Sequence, residues 1–178
     1  MTRFHEPSIG ATSEWRTPRE YFIAIGLTFD LDPCSPTSGP DFVPAMTKFT
    51  VEDNGLRLPW HGLVFVNPPF GGRNGHLPWL RKFFKHANGI LIARAYTSSG
   101  WWHSHVVPHA QLLLFPRGKT KFVRPDGSVG KEPGHGVALI GMGAVACAAL
   151  RRSGLGSCCV IERDAIVQHD ASQAAEAV

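Results

Sequence analysis

Apolar positions along the chain fall into short blocks separated by Pro, Gly and Asn, and the spacing inside each block predicts its element. Thr17-Pro18-Arg19-Glu20 has the order of a helix start: a Thr cap, a proline at the first helical position and a glutamate three residues beyond the cap. It predicts a helix over 18–25, ended by Gly26. Residues 27–31 alternate apolar and polar as a short strand does, stopping at Asp32-Pro33-Cys34-Ser35. A loop rich in Pro, Ser and Gly follows. Leu63-Val64-Phe65-Val66 is a compact apolar run ended by Asn67-Pro68-Pro69-Phe70, the pattern of a buried strand halted by prolines that cannot continue a ladder. Over 76–87, Leu77, Leu80, Phe83 and Phe84 form one stripe with Arg81, Lys82 and Lys85 on the other faces, which predicts an amphipathic helix. Further strands are expected at 90–93, 111–115, 136–141 and 157–161, with helices at 101–107 and 144–152. A hairpin or flap is expected over 120–131, around Pro125-Asp126-Gly127.

Strand and helix patterns alternate, which predicts an α/β fold with a mainly parallel sheet. The 178 residues suit one domain, expected over 15–163, between an irregular arm at 1–14 and a small, polar, acidic tail at 164–178. With 43% hydrophobic and 18% charged residues, fibrous and wholly disordered classes are excluded. No stretch has the length of uncharged apolar residues that a membrane span needs, and the polar start has no apolar signal core. The expectation is a monomer that stays in the cytoplasm and has no membrane partner. Cys34, Cys147, Cys158 and Cys159 lack paired metal spacing, and two are adjacent, so neither a metal site nor a disulfide framework is expected.

Charge is segregated. Between Asp53 and Asp126 there is no acid, yet ten bases: Arg57, Arg73, Arg81, Lys82, Lys85, Arg94, Arg117, Lys119, Lys121 and Arg124. The whole chain carries only +4, so the remainder is net acidic. Such a block favours a polyanionic partner over a merely solvated basic surface. Arg117, Lys119, Lys121 and Arg124 crowd around Phe122, a pattern suited to phosphate contacts.

Asn67-Pro68-Pro69-Phe70 carries the chemistry. A strand delivers Asn67 to the carboxyl edge of the sheet, where open α/β folds bind ligands, and the prolines stiffen the backbone that follows. The Asn67 amide oxygen and the Pro68 carbonyl can then face one site, with Phe70 as a flat apolar face beside them. An exocyclic amino group on a planar base fits that arrangement. Read alone, the tetrapeptide fits equally well a Pro-Pro turn that simply ends a strand. Asp32, at a strand end, suits either a cofactor contact or a cap on its own loop. Asp53 lies near the spacing of a ribose-binding acid after the first strand, although no clear strand precedes it. Trp101 and Trp102 read as core, while His103, His105 and His109 decorate a helix and loop without a triad partner. His135 has no assigned role.

Taken in order, Trp15-Arg16-Thr17-Pro18, Phe29-Asp30-Leu31-Asp32-Pro33-Cys34, Gly55-Leu56 with Trp60, Asn67-Pro68-Pro69-Phe70, Trp79, Ala95 with Thr97-Ser98, Phe115-Pro116-Arg117 with Phe122, and the Gly-His-Gly-Val run at 134–137 resemble the phage-type DNA adenine-N6 methyltransferases, which use S-adenosylmethionine. The resemblance spans most of the chain. It implies a compact Rossmann-like methyltransferase fold and a site-specific, adenine-specific enzyme acting on DNA in a bacterial or phage-infected cell. It further implies S-adenosylmethionine contacts at Trp15, Thr17, Pro18, Asp32, Pro33, Cys34, Asp53 and Asn67, with S-adenosylhomocysteine as product. A flipped adenine would be held by Asn67, Pro68, Pro69 and Phe70, and DNA phosphates by Arg73, Arg117, Lys119, Lys121 and Arg124. RNA adenine or a protein amide are alternative acceptors for such a motif, and a catalytically degenerate nucleic-acid-binding module is an alternative of another class. The sequence departs from larger methyltransferases in lacking a glycine-rich turn after the first strand, and it has Phe70 where Tyr is commoner.

Overall fold

The apolar blocks condense into a seven-stranded sheet with helices on both faces, as a computed structural model of the chain shows for residues 15–69, 75–130 and 135–161. In chain order the elements are α1 (Arg19–Ile25), β1 (Phe29–Asp32), β2 (Ala45–Lys48), β3 (Val64–Val66), α2 (Leu77–His86), β4 (Gly89–Arg94), a π-helix (Trp102–Val106), β5 (Leu112–Pro116), β6 (Val137–Met142), α3 (Ala144–Arg152) and β7 (Gly156–Cys159). The sheet order is β2-β1-β3-β4-β6-β5-β7. The arm, the tail, Phe70 and Arg73 lie outside the described residues.

Period-two alternation sorts the core onto two faces. Val64, Val66, Leu91 and Ala93 point to α2 and the π-helix, where they meet Leu80, Phe83, Trp102 and Val106. Phe29, Phe65, Ile90, Leu112, Leu114 and Leu139 point the other way, against Tyr21, Phe22 and Ile25 of α1 and Ala146, Ala149 and Leu150 of α3. The Phe65 ring takes the edge of Phe22 at a centroid distance of 4.8 Å, which seats α1 over the middle of the sheet.

A mainly parallel sheet was the expectation, and the pairings correct it. β1–β2, β1–β3 and β3–β4 are parallel, whereas β4–β6, β5–β6 and β5–β7 are antiparallel, and the longest ladder, β4–β6, is antiparallel. The cause lies between β5 and β6. A parallel crossover needs a helix, and that connection instead holds a small hairpin, so β6 returns alongside β5 and wedges between it and β4. Because β4 and β5 both run opposite to β6, they share one direction, and the carboxyl ends of β1, β3 and β4 open on the same edge.

Three local expectations also change. Thr17 does not cap α1: Pro18 occupies the cap position, with no side-chain hydrogen bond there. The residues before Asp53 do include a strand, β2, which pairs in parallel with β1. The segment expected as a helix at 101–107 is a five-residue π-helix. Among the described residues no helix is long and apolar enough to cross a membrane.

Candidate active site

The carboxyl edge of β1 and β3 bounds a cleft of about 360 Å³, a size suited to a nucleoside-sized ligand. Its walls include Trp15, Pro33, Cys34, Asn67, Pro68 and Trp79. A narrower extension continues past Thr17 and Asp32. Trp15, Thr17, Asp32, Pro33, Cys34 and Asn67, distributed over more than fifty residues of sequence, are therefore brought together.

The first wall is the loop after β1. Asp32 is 2% exposed and spends both carboxylate oxygens on that loop. The Cys34 amide donates to Oδ1 at 2.9 Å, and the Ser35 hydroxyl donates to Oδ2 at 2.8 Å. Burial pushes its carboxyl up to about 6, against the lowering effect of those two bonds. Asp32 thus caps its own turn, taking the place of the glycine-rich turn that the sequence lacks. Burial, and then Asp32, push the Cys34 thiol up, so it stays a neutral apolar wall.

The second wall is the loop after β2. The Thr50 amide and hydroxyl donate to Asp53 Oδ2 at 2.8 and 2.9 Å, and these bonds hold the Asp53 carboxyl below its usual range. Asp53 itself is exposed and shapes the turn, while Thr50, Val51, Asn54 and Gly55 face the cleft. Gly55 lies against Pro33 so closely that a Cβ there would sit 2.2 Å from the Pro33 carbonyl oxygen. Lys82 of α2 reaches under this loop and donates from Nζ to the carbonyls of Gly55, Leu56 and Leu58, with its ammonium 5.0 Å from the Trp60 ring centroid. Sequence reasoning counted Lys82 with the basic surface. The structure makes it a clamp, with burial lowering its pKa.

The third wall is the segment 15–17, which the 120–130 hairpin holds in place. Arg16 and Val123 exchange both backbone hydrogen bonds, at 2.9 and 3.0 Å. The Tyr21 hydroxyl lies 2.5 Å from Thr120 Oγ1. The Arg124 guanidinium sits 5.7 Å from the Trp15 ring centroid and bonds Ser128 and Val129 of its own hairpin. Arg117, Lys119 and Lys121 remain exposed.

Asn67 closes the cleft. Its Nδ2 donates to the Trp15 carbonyl at 2.7 Å, which fixes the orientation of the amide and turns Oδ1 away from that bond. Oδ1 is buried with no hydrogen-bond partner among the described residues, as are Trp15 Nε1 and Thr17 Oγ1. Buried polar atoms are ordinarily paired, and three left open around one cleft indicate a polar ligand. The unused Thr17 hydroxyl had no signal in the sequence, where Thr17-Pro18-Arg19-Glu20 reads as a capped helix start.

A family model described as DNA N-6-adenine-methyltransferase (Dam) matches residues 10–143. No curated protein and no solved structure matches the chain. The family model covers most of the sequence, including every described residue around the cleft, and the chain belongs to the DNA N-6-adenine-methyltransferase (Dam) family.

Proposed function

We propose that the protein transfers a methyl group from S-adenosylmethionine to N6 of an adenine swung out of duplex DNA, within a Rossmann-like core whose cofactor cleft is the one bounded by Trp15, Asp32 and Asn67. The observation that carries this reading is the buried, unpartnered Oδ1 of Asn67, fixed by the Trp15 carbonyl and followed by two prolines. Family membership supplies the substrate class, and the three open polar atoms fit a ligand rich in donors and acceptors.

When bound, S-adenosylmethionine supplies an electrophilic methyl group on its sulfonium. Trp15 Nε1 and Thr17 Oγ1 bind polar atoms of the cofactor, and the Asp32-capped loop with Cys34 forms its apolar floor. Asn67 Oδ1 and the Pro68 carbonyl accept the two hydrogens of the adenine amine. That pairing draws the nitrogen lone pair out of ring conjugation and aims it at the methyl position, so orientation and electrostatic preorganisation do the work. Asn67 is not a base. The S–C electron pair would stay on the cofactor sulfur as the methyl leaves it, and the alkylated arylammonium, being strongly acidic, would lose its proton to water. The target atom is hidden in the stacked duplex, so the base must be flipped to reach the cleft, with Phe70 stacking on it. Arg117, Lys119 and Lys121 would contact phosphates, and Arg124 would steady Trp15 from the same hairpin. Such a substrate sets the working place in the cytoplasm of a bacterial or phage-infected cell.

The test is mass spectrometry of DNA, RNA and protein, each digested after parallel incubation with the enzyme and cofactor carrying a deuterated methyl group. Labelled N6-methyldeoxyadenosine is the expected product. Label found only in RNA or in a protein amide, or no transfer at all, overturns the reading.

A further inference from the structure

The face formed by α2 and the π-helix carries a chain of hydrogen bonds that the proposed chemistry leaves unused. Arg81 Nε donates to His105 Nε2 at 3.3 Å. An accepting Nε2 places the ring proton on Nδ1, which lies 2.7 Å from Ser104 Oγ and donates to it. Ser104 Oγ in turn donates to the Gly100 carbonyl at 2.9 Å. The imidazole thereby accepts from the guanidinium through a ring held by Ser104 and the Gly100 carbonyl, and brings no carboxylate to cancel its charge.

That is an unusual use of an arginine. Among the described residues no carboxylate pairs with Arg81, and none occurs anywhere between residues 54 and 125. Arg81 is exposed, as are Lys85, one turn further along α2, and His103 on the π-helix. The face also adjoins the site. The His76 ring packs edge-on against Trp101 at 4.4 Å, and His76 shares a small hollow with Pro68 and Arg94. Arg81 stands five residues beyond His76, about 8 Å along the helix axis. One bond, from a ring that two further bonds hold in place, thus fixes one end of a planar guanidinium on the helix whose first turn borders Pro68, and leaves its Nη donors for a bidentate anion.

We propose that Arg81, oriented by His105 and Ser104, seats a DNA backbone phosphate next to the flipped adenine, with His105 as a positioning residue that acts through Arg81. This rests on the methyltransferase reading, and the experiment separates the two. Wild-type methylation of duplex DNA tests that reading by itself. DNA affinity across a salt series, by fluorescence anisotropy, and the KM for DNA then test Arg81. Arg81→Ala should lower the salt slope by about one and raise the KM for DNA roughly fivefold. His105→Ala should raise that KM by a smaller factor, His105→Gln should restore it by offering Arg81 an amide oxygen, and His105→Ala should add nothing in the Arg81→Ala background. An unchanged slope in Arg81→Ala overturns the proposal. So does a His105→Ala effect that persists without Arg81, or a failure of His105→Gln to rescue.

Discussion

Replacing Asn67 with Ala removes two things that the structure separates. One is the open acceptor Oδ1, buried and aimed away from the Trp15 bond. Loss of a single preorganised contact of this kind typically costs ~3 kcal/mol in the barrier, so the transfer rate should fall on the order of a hundredfold or more. The other is the 2.7 Å bond from Nδ2 to the Trp15 carbonyl. Its loss strands a part-buried acceptor and loosens the 15–17 wall, at a cost of about 1 kcal/mol, which corresponds to a roughly fivefold weaker cofactor Kd. The two losses therefore fall on different observables. Single-turnover transfer of a labelled methyl group, with cofactor and DNA saturating, reads the first; titration calorimetry with cofactor alone reads the second. The expected pattern is a large drop in rate beside a small change in Kd. Asn67→Asp sharpens it, because the carboxylate keeps an acceptor but sets an oxygen against the Trp15 carbonyl, so cofactor affinity should fall further than in Asn67→Ala. An Asn67→Ala enzyme within tenfold of the wild-type rate, or one whose whole loss lies in cofactor affinity, refutes the assignment of Oδ1 to the acceptor amine.

Thr17→Val should leave stability unchanged or slightly raised in chemical denaturation, because the hydroxyl has no partner to lose among the described residues, while cofactor Kd rises severalfold; a loss of about 1 kcal/mol of stability would instead signal a helix cap. The folded Asp32 carboxyl sits at about 6 against an ordinary value of 3.8, so between those values the folded chain holds more protons than the unfolded one. Its contribution to stability is therefore present at low pH, declines as pH rises through that window by up to ~3 kcal/mol, and is flat above it. The difference in unfolding free energy between wild type and Asp32→Asn, followed from pH 4 to 8, should trace that decline, and a difference flat with pH would contradict it. Lys82→Met should destabilise the 51–58 loop and weaken cofactor binding while leaving the salt slope for DNA as it was, since its ammonium is spent on three carbonyls; a lowered slope would return Lys82 to the DNA surface. Removing Arg117, Lys119 or Lys121 singly should lower that slope by about one each, irrespective of DNA sequence, in contrast to a flat response.

What could be read from the chain follows a physical division. Continuous apolar runs such as Val64-Phe65-Val66 and Gly89–Arg94 are buried on both faces and announce themselves, as does the stripe of α2. β2 did not, because Ala-Met-Thr-Lys is an edge strand whose Met46 is 80% exposed, so no burial pattern marks it. The direction of β6 was open to inference only by noticing that no helix separates it from β5. At the candidate site, the place of Asn67 at the carboxyl edge was legible because the prolines that follow it end β3 there. Asp32 could be read as either a cofactor contact or the cap of its own loop, and the choice between them was not legible, since it depends on a turn closing over a buried carboxylate. The clamp role of Lys82 and the Arg81–His105–Ser104 chain join segments far apart in sequence, and nothing in local composition foretells which base will be buried by a partner and which left facing solvent.

The anchoring of the 15–17 wall has a consequence for the order in which the chain folds. Trp15 meets Asn67 across 52 residues and Tyr21 meets Thr120 across 99, while Arg16 pairs with Val123 at the hairpin. The sheet strands β1, β3 and β4 can zip from neighbouring segments, but the cleft needs both of these distant closures, each paid for in chain entropy before it gains anything. A nascent chain emerging from the ribosome holds the Asn-Pro-Pro strand long before the hairpin that anchors the third wall has been made. A cofactor bound in this cleft as proposed would stabilise chiefly that last docking step rather than the sheet itself.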